Sequence, residues 1–216
     1  MPRWDDLSAI VLAGGRSRRF KSDKALLVWG GEPLIVRLVK LLKPEFATVL
    51  VVTGPTRRYT AILDVPILED AVKGKGPLGG IYTGLLASPT EDNLVLACDM
   101  PLLDLRVVSL LERERDGCEA VVAEVNGHLE PLLGIYKKSC LARIARSLEQ
   151  GALAVHDLLA SLQTRVIPEA RIRAVDPELR SFANVNTQEE LDLWRRQEGG
   201  ERERDLDYMP LLRSGV

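Results

Sequence analysis

Histidine and cysteine are scarce in this chain of 216 residues, and long apolar runs are missing altogether. With only two histidines, no convincing Ser-His-Asp arrangement can be assembled, which removes the usual sign of a serine hydrolase. The three cysteines, Cys98, Cys118 and Cys140, are widely spaced and form no C-x-x-C pair. Neither a zinc site nor a disulfide frame is supported, and reduced, mostly buried thiols are expected. No apolar stretch approaches the roughly 20 residues needed to span a bilayer. The opening MPRWDDLSAIVLAGG carries two acids and runs straight into an apolar strand, unlike a signal peptide. A cytoplasmic location without membrane association is therefore expected. The formal net charge of −2 gives no reason to expect a nucleic-acid partner.

What is present suits a packed α/β domain: 46% of residues are hydrophobic and 28% charged. Short, nearly continuous apolar runs rich in β-branched residues occur at Ser8–Ala13, Thr48–Thr53, Val65–Leu68, Asn93–Cys98 and Glu119–Val125. That character belongs to strands buried on both faces of a parallel sheet. Between them Pro33–Leu42, Leu78–Ala87 and Leu103–Glu114 carry helical spacing. The rhythm predicts a Rossmann-like, three-layer α/β fold, a mostly parallel twisted sheet with helices on both faces. Leu132–Tyr136 reads as a later, antiparallel strand, and Lys137–Gln150, Leu153–Leu162 and Thr187–Gln197 as helices. Thr187, with Glu190 three residues on, forms a capping box. Residues 1–197 are expected to form a single domain, and the charged, Gly-containing 198–216 a flexible tail.

The chemistry gathers at the end of the first strand, in AIVLAGGRSRRFKSDKALL. Arg16, Arg18, Arg19, Lys21 and Lys24 fall within nine positions directly behind Gly14 and Gly15. In open α/β sheets ligands bind beyond the carboxyl ends of the strands, where this loop must lie. Glycine amides there can point at phosphate oxygens, and Arg19 and Lys24 can neutralise a polyphosphate. The loop is neither G-x-G-x-x-G nor a Walker A motif. The bland alternative is a plain turn followed by a solvated charge run. A second feature is VLACDMPL, whose strand delivers Asp99 to the same edge, where one carboxylate suits Mg²⁺ completed by phosphate oxygens and water. The alternative is a surface turn. Cys98 reads as a small buried residue.

Leu12–Leu26, read as L-A-G-G-R-S-x-R-x-x-x-D-K-A-L, resembles the signature of nucleotidyltransferases that attach a nucleoside monophosphate to a phosphorylated acceptor. It is most similar to the molybdenum cofactor guanylyltransferases, and the likeness extends over nearly all of residues 8–195. ILEDAVKGKGPLGGIYTG matches the family's E-D and G-P-L-x-G segment, VLACDMPL its C-D-x-P, and FANVNTQEEL its N-V-N-T-x-E-E-L. NGHLEPLLGIY is similar to its acceptor-side loop, although His128 itself reads as an ordinary polar residue. The resemblance implies nucleotide binding by Leu12, Ala13, Gly14, Gly15, Lys24, Asp70 and Asp99, with Asp99 on the metal. It implies catalysis by Lys24, Asp99 and Arg19, and acceptor binding by Asn184 and Asn186. Asp23 is expected to orient Lys24 or cap its turn.

The implied reaction moves GMP from GTP to the phosphate of Mo-molybdopterin, with Mg²⁺ as cofactor. Cofactor-maturation proteins and acceptor molybdoenzymes are the implied partners. Two departures stand out: Lys21 occupies a position where relatives commonly carry Gly, and Thr53-Gly54-Pro55 lacks the Asn that follows the second strand in some. A cytidylyltransferase or sugar-phosphate nucleotidyltransferase of the same fold, and a non-catalytic nucleotide-binding adaptor, are the competing expectations.

Overall fold

A computed structural model describes residues 4–13, 23–29, 31–54, 59–185, 187, 189, 190 and 192. Gly14, Gly15, Arg19, Lys21, Asn186 and the segment 198–216 lie outside the described residues.

In chain order the elements are β1 (Trp4–Leu12), a 3-10 turn (Lys24–Leu26), β2 (Val28–Trp29), β3 (Glu32–Pro33), α1 (Leu34–Leu42), β4 (Phe46–Thr53), β5 (Ile67–Glu69), α2 (Gly76–Ala87) and β6 (Asp92–Ala97). There follow α3 (Leu105–Arg113), β7 (Ala120–Val125), β8 (His128–Lys137), a 3-10 turn (Lys138–Cys140), α4 (Leu141–Gln150), α5 (Val155–Ser161), β9 (Thr164–Ile167), α6 (Glu169–Arg173) and a last 3-10 turn (Arg180–Phe182). Seven strands form one sheet in the order β5-β4-β1-β6-β8-β7-β9. Only β8 runs against its neighbours β6 and β7, and the other pairings are parallel. The expected mostly parallel sheet is therefore present, with its antiparallel strand where Leu132–Tyr136 had been read.

Alternate residues of the central strands feed two cores, as a strand period of two requires. On β1, Leu7, Ala9 and Val11 join α1 and α3, through Ile35, Leu38, Val107 and Leu111, on one face. Ile10 and Leu12 join α2, α4 and α5, through Leu78, Ile81, Ile144 and Leu158, on the other. Both faces are thus covered by helices, and each fully buried Leu, Ile or Val contributes about 1.5–3 kcal/mol by leaving water. No helix among the described residues is long and apolar enough to cross a membrane.

Three details differ from the sequence reading. The later strand begins at His128 rather than Leu132, because Pro131 sits where the β7 pairing slips register between Val122 and Ala123. Helix α2 begins at Gly76, two residues before the expected Leu78, and takes in Gly76, Gly79 and Gly80. The hairpin β2–β3, the edge strand β9 and the short α6 have no counterpart in the sequence pattern.

Candidate active site at the carboxyl ends of β1 and β6

The chain runs outward from β1 through β4 to β5, then returns to β6 on the other side of β1. The strand order reverses between β1 and β6, and in open α/β sheets ligands bind in the crevice at such a point. Leu12 pairs with Ala97, and the Cys98 amide donates to the Leu12 carbonyl at 3.1 Å. The register therefore sets Ala13 beside Cys98 and Asp99 at the mouth of the crevice. Leu12 and Ala13 are buried. Thr53, the last residue of β4, donates its hydroxyl to the Ala13 carbonyl at 3.1 Å and so ties the third strand end to the same place.

Lys24 and Asp99 meet across this crevice, with Lys24 Nζ 3.4 Å from Asp99 Oδ2. The two side chains are 27% and 19% exposed, so both remain open to a ligand. A contact of this length exceeds the 2.7–3.2 Å range of a well-formed N–H···O bond, and partly solvated pairs contribute only about 0–1 kcal/mol. Replacing one partner of the pair by a phosphate oxygen therefore costs little. Lys24 stands on the 3-10 turn, whose N-cap is Asp23: its Oδ1 accepts from the Ala25 amide at 3.2 Å. This is the capping role expected of Asp23.

Asp70 follows β5, and its amide donates to the Thr53 carbonyl at 2.8 Å. Its Oδ1 accepts from the Val72 amide at 3.0 Å and lies 3.1 Å from the Thr83 hydroxyl of α2. A turn-shaping job is thus real, and Oδ2 is the oxygen left for a ligand to approach. The helix comes so close that a Cβ on Gly79 would stand 3.1 Å from both carboxylate oxygens and 3.0 Å from the Val72 carbonyl. Thr83 was not foreseen from sequence; nothing in its spacing from Asp70 marks it. The nearby lysines serve the scaffold: Lys73 pairs with Glu69 at 2.9 Å, and Lys75 reaches the Leu148 carbonyl at 3.5 Å.

Asn184 is exposed, and the next amide, that of Val185, donates to the Asp99 carbonyl at 3.0 Å. Val185 packs with Trp29 and Leu34, so Asn184 and Val185 are held beside the crevice from the β2–β3 side. Thr187 accepts from the Glu190 amide at 3.0 Å, as its capping box requires. His128 is exposed on β8. The structure thus brings Leu12, Ala13, Lys24, Asp99 and Asn184 around one crevice, with Asp70 at the neighbouring strand end.

Burial pushes all three thiols up in pKa, and at Cys98 the carboxylates of Asp99 and Asp23 push further. Cys140 is pushed up to about 12. At about pH 8 such a thiol is ionised in roughly one molecule in ten thousand. Cys140 in native protein should therefore react with iodoacetamide at least about 100-fold more slowly than in guanidinium-unfolded protein. Rapid native labelling of Cys140 would contradict its full burial.

The model of the MobA-like NTP transferase domain matches residues 9–166. A molybdenum cofactor guanylyltransferase of Desulfosudis oleivorans is 35% identical over 190 residues, covering 87% of this chain and 94% of that protein. One of Syntrophotalea carbinolica is 32% identical over 195 residues, covering 89% and 92%. Among solved structures, molybdopterin-guanine dinucleotide biosynthesis protein A from Archaeoglobus fulgidus superposes with a TM-score of 0.77 at 28% identity, covering 90% of this chain and 99% of that one.

Proposed function

The chain belongs to the MobA-like NTP transferase family, and from that membership we propose that it is a molybdenum cofactor guanylyltransferase acting on GTP and Mo-molybdopterin. The observation that carries the reading is the meeting of Lys24 and Asp99 at 3.4 Å over the β1–β6 switch point. A cation and a carboxylate at that place serve a triphosphate better than any other ligand class.

In the reaction, a phosphate oxygen of molybdopterin forms a bond to the α-phosphorus of GTP. The bond from that phosphorus to the α,β-bridging oxygen breaks, and pyrophosphate leaves with its electron pair. The attacking group is a phosphate monoester with a second pKa of about 6, already anionic at neutral pH. No general base is needed, which agrees with a site whose described residues include no histidine next to Lys24 or Asp99. The work left to the protein is to bring two anions together and to stabilise charge, by position and electrostatics. Lys24 binds phosphate oxygens, with Arg19 and the Gly14 and Gly15 amides as further donors from the same loop. Asp70 holds the nucleoside, and Asn184 with Asn186 holds the pterin side.

Among the described residues no group of three or more His, Cys, Asp or Glu forms a metal cage. Asp99, a strand-end carboxylate that is 19% exposed, suits Mg²⁺, since this ion takes one or two carboxylates and keeps water and phosphate oxygens. Asp99 would hold the ion, which when bound neutralises phosphate charge during departure of the pyrophosphate. The recipients of the product would be molybdoenzymes, reached directly or through cofactor-maturation proteins.

The test supplies GTP, CTP, ATP and UTP in turn with Mo-molybdopterin and Mg²⁺, and reads pyrophosphate release. GTP is expected to be turned over at least about 10-fold faster than CTP, a discrimination of about 1.4 kcal/mol. Chelation should abolish the reaction and added Mg²⁺ restore it. Equal use of CTP would transfer the chain to the cytidylyl reading, and binding of GTP without turnover to the non-catalytic one.

A further inference from the structure

The mechanism above uses Lys24 but leaves open what aims it. The 3-10 turn that carries it has three residues, too few to hold a conformation by itself. Its backbone bonds are the Leu26 amide to the Asp23 carbonyl at 3.0 Å and the Leu27 amide to the Lys24 carbonyl at 3.1 Å. Its N-cap, Asp23, is held in turn by Tyr59, whose hydroxyl donates to Asp23 Oδ2 at 2.7 Å. Tyr59 is 1% exposed, and its ring belongs to the same core as Ala25, Val39 and Ala13. Its carbonyl accepts from the Ile62 and Leu63 amides at 3.0 and 2.9 Å, which fixes the backbone under the ring. A rigid phenol rooted in the core beyond the end of β4 thus reaches the carboxylate that caps the neighbouring turn. With one carboxylate oxygen on Ala25 and the other on Tyr59, the rotation of Asp23 is set, and with it the start of the turn. The bond is charge-assisted, and so among the stronger hydrogen bonds of a protein.

We propose that Tyr59 is a positioning residue for the nucleotidyl transfer: its hydrogen bond to Asp23 holds the turn that presents Lys24 toward Asp99 and the triphosphate. The inference rests on the assignment of Lys24 to the triphosphate. Tyr59 contacts no substrate atom. It acts by limiting where Lys24 Nζ can be, and small misplacements of such a group cost up to about 100-fold in rate.

Tyr59→Phe keeps the ring and removes the hydroxyl. Turnover should fall about 10- to 100-fold, while KM for GTP stays within about 3-fold and Tm drops by only about 2–4 °C. The decisive measurement is the cycle with Lys24→Ala. In the Lys24→Ala background, Tyr59→Phe should reduce turnover no further, because there is no ammonium left to aim. If Tyr59→Phe reduces turnover by the same factor with and without Lys24, its role is merely structural and the proposal fails. If Lys24→Ala is inactive but Tyr59→Phe turns over as wild type, only the proposal fails. If Lys24→Ala itself keeps wild-type turnover, the assignment of Lys24 falls and the proposal with it. Should Tyr59→Phe not fold by circular dichroism, Asp23→Asn serves instead. It keeps a capping oxygen but weakens the bond from Tyr59, and should give a smaller loss with the same dependence on Lys24.

Discussion

Asp99→Ala is expected to fold normally and to lose turnover by two or more orders of magnitude, about 2.7 kcal/mol or more of transition-state stabilisation. The side chain is 19% exposed, and its ion pair among the described residues is the loose one with Lys24. Removing it should shift Tm by no more than a few degrees, because such a pair contributes only about 0–1 kcal/mol. The backbone bond from the Val185 amide to the Asp99 carbonyl survives the change, so Val185 keeps its place. The fall in turnover then reports chemistry rather than architecture. Asp99→Asn sharpens the point: it preserves shape and hydrogen bonding but removes the charge that holds a divalent cation, and should be nearly as inactive. Pyrophosphate release at saturating GTP and Mg²⁺, measured beside a thermal melt, decides the matter. Near-normal turnover by a folded Asp99→Ala protein would remove the metal-binding assignment.

The central strands were legible because burial on both faces writes itself as an unbroken apolar run, as in AIVL of β1 and NLVLA of β6. Where one face or an edge meets water the writing fades. The edge strand β9 carries Arg165, paired with Glu114 at 2.8 Å, and Val166, which is 40% exposed, so neither alternation nor continuity marks it. The beginning of β1 was hidden by Asp5 and Asp6, both exposed although in the strand. The start of α2 was hidden by its glycines, which propensity argues out of a helix but which the structure requires: Gly76 has a φ of +64°, and Gly79 and Gly80 pack closely against Asp70 and Leu12. In the site the same division holds. The candidates Lys24 and Asp99 stand out in the sequence because each follows a recognisable strand in a short, distinctive motif. Tyr59 and Thr83 could not. Each works through a contact across the fold, to Asp23 over 36 positions and to Asp70 over 13, and no local pattern encodes either distance.

Gly84→Val should be the most damaging single change in the packing, and it should reach the site. A Cβ on Gly84 would stand 2.4 Å from Ile10 Cγ2 and 3.0 Å from its Cδ1, where carbon atoms normally rest about 3.5–4.0 Å apart. Ile10 cannot retreat: it is fully buried on the strand that pairs with both β4 and β6. The helix must therefore move off the sheet, opening the seam that Leu78, Ile81 and Leu85 fill. Alanine would recover about 1 kcal/mol through helix propensity, whereas β-branched valine recovers less and adds two more methyl groups. A loss of about 3 kcal/mol is expected for Gly84→Val, which for a chain of this size lowers Tm by about 6–12 °C. Thr83 is the next residue back, and its hydroxyl touches Asp70 Oδ1 at 3.1 Å and accepts from the Ala71 amide at 3.0 Å. A displaced α2 drags that hydroxyl with it, so KM for GTP should rise in the folded fraction even though Gly84 itself packs on Ile10 in the core. Ile10→Ala, costly alone, should restore part of the stability when combined with Gly84→Ala, because it removes the methyl that the new Cβ strikes. A Gly84→Val protein melting within about 1 °C of wild type would mean that α2 does not bear on β1 as described.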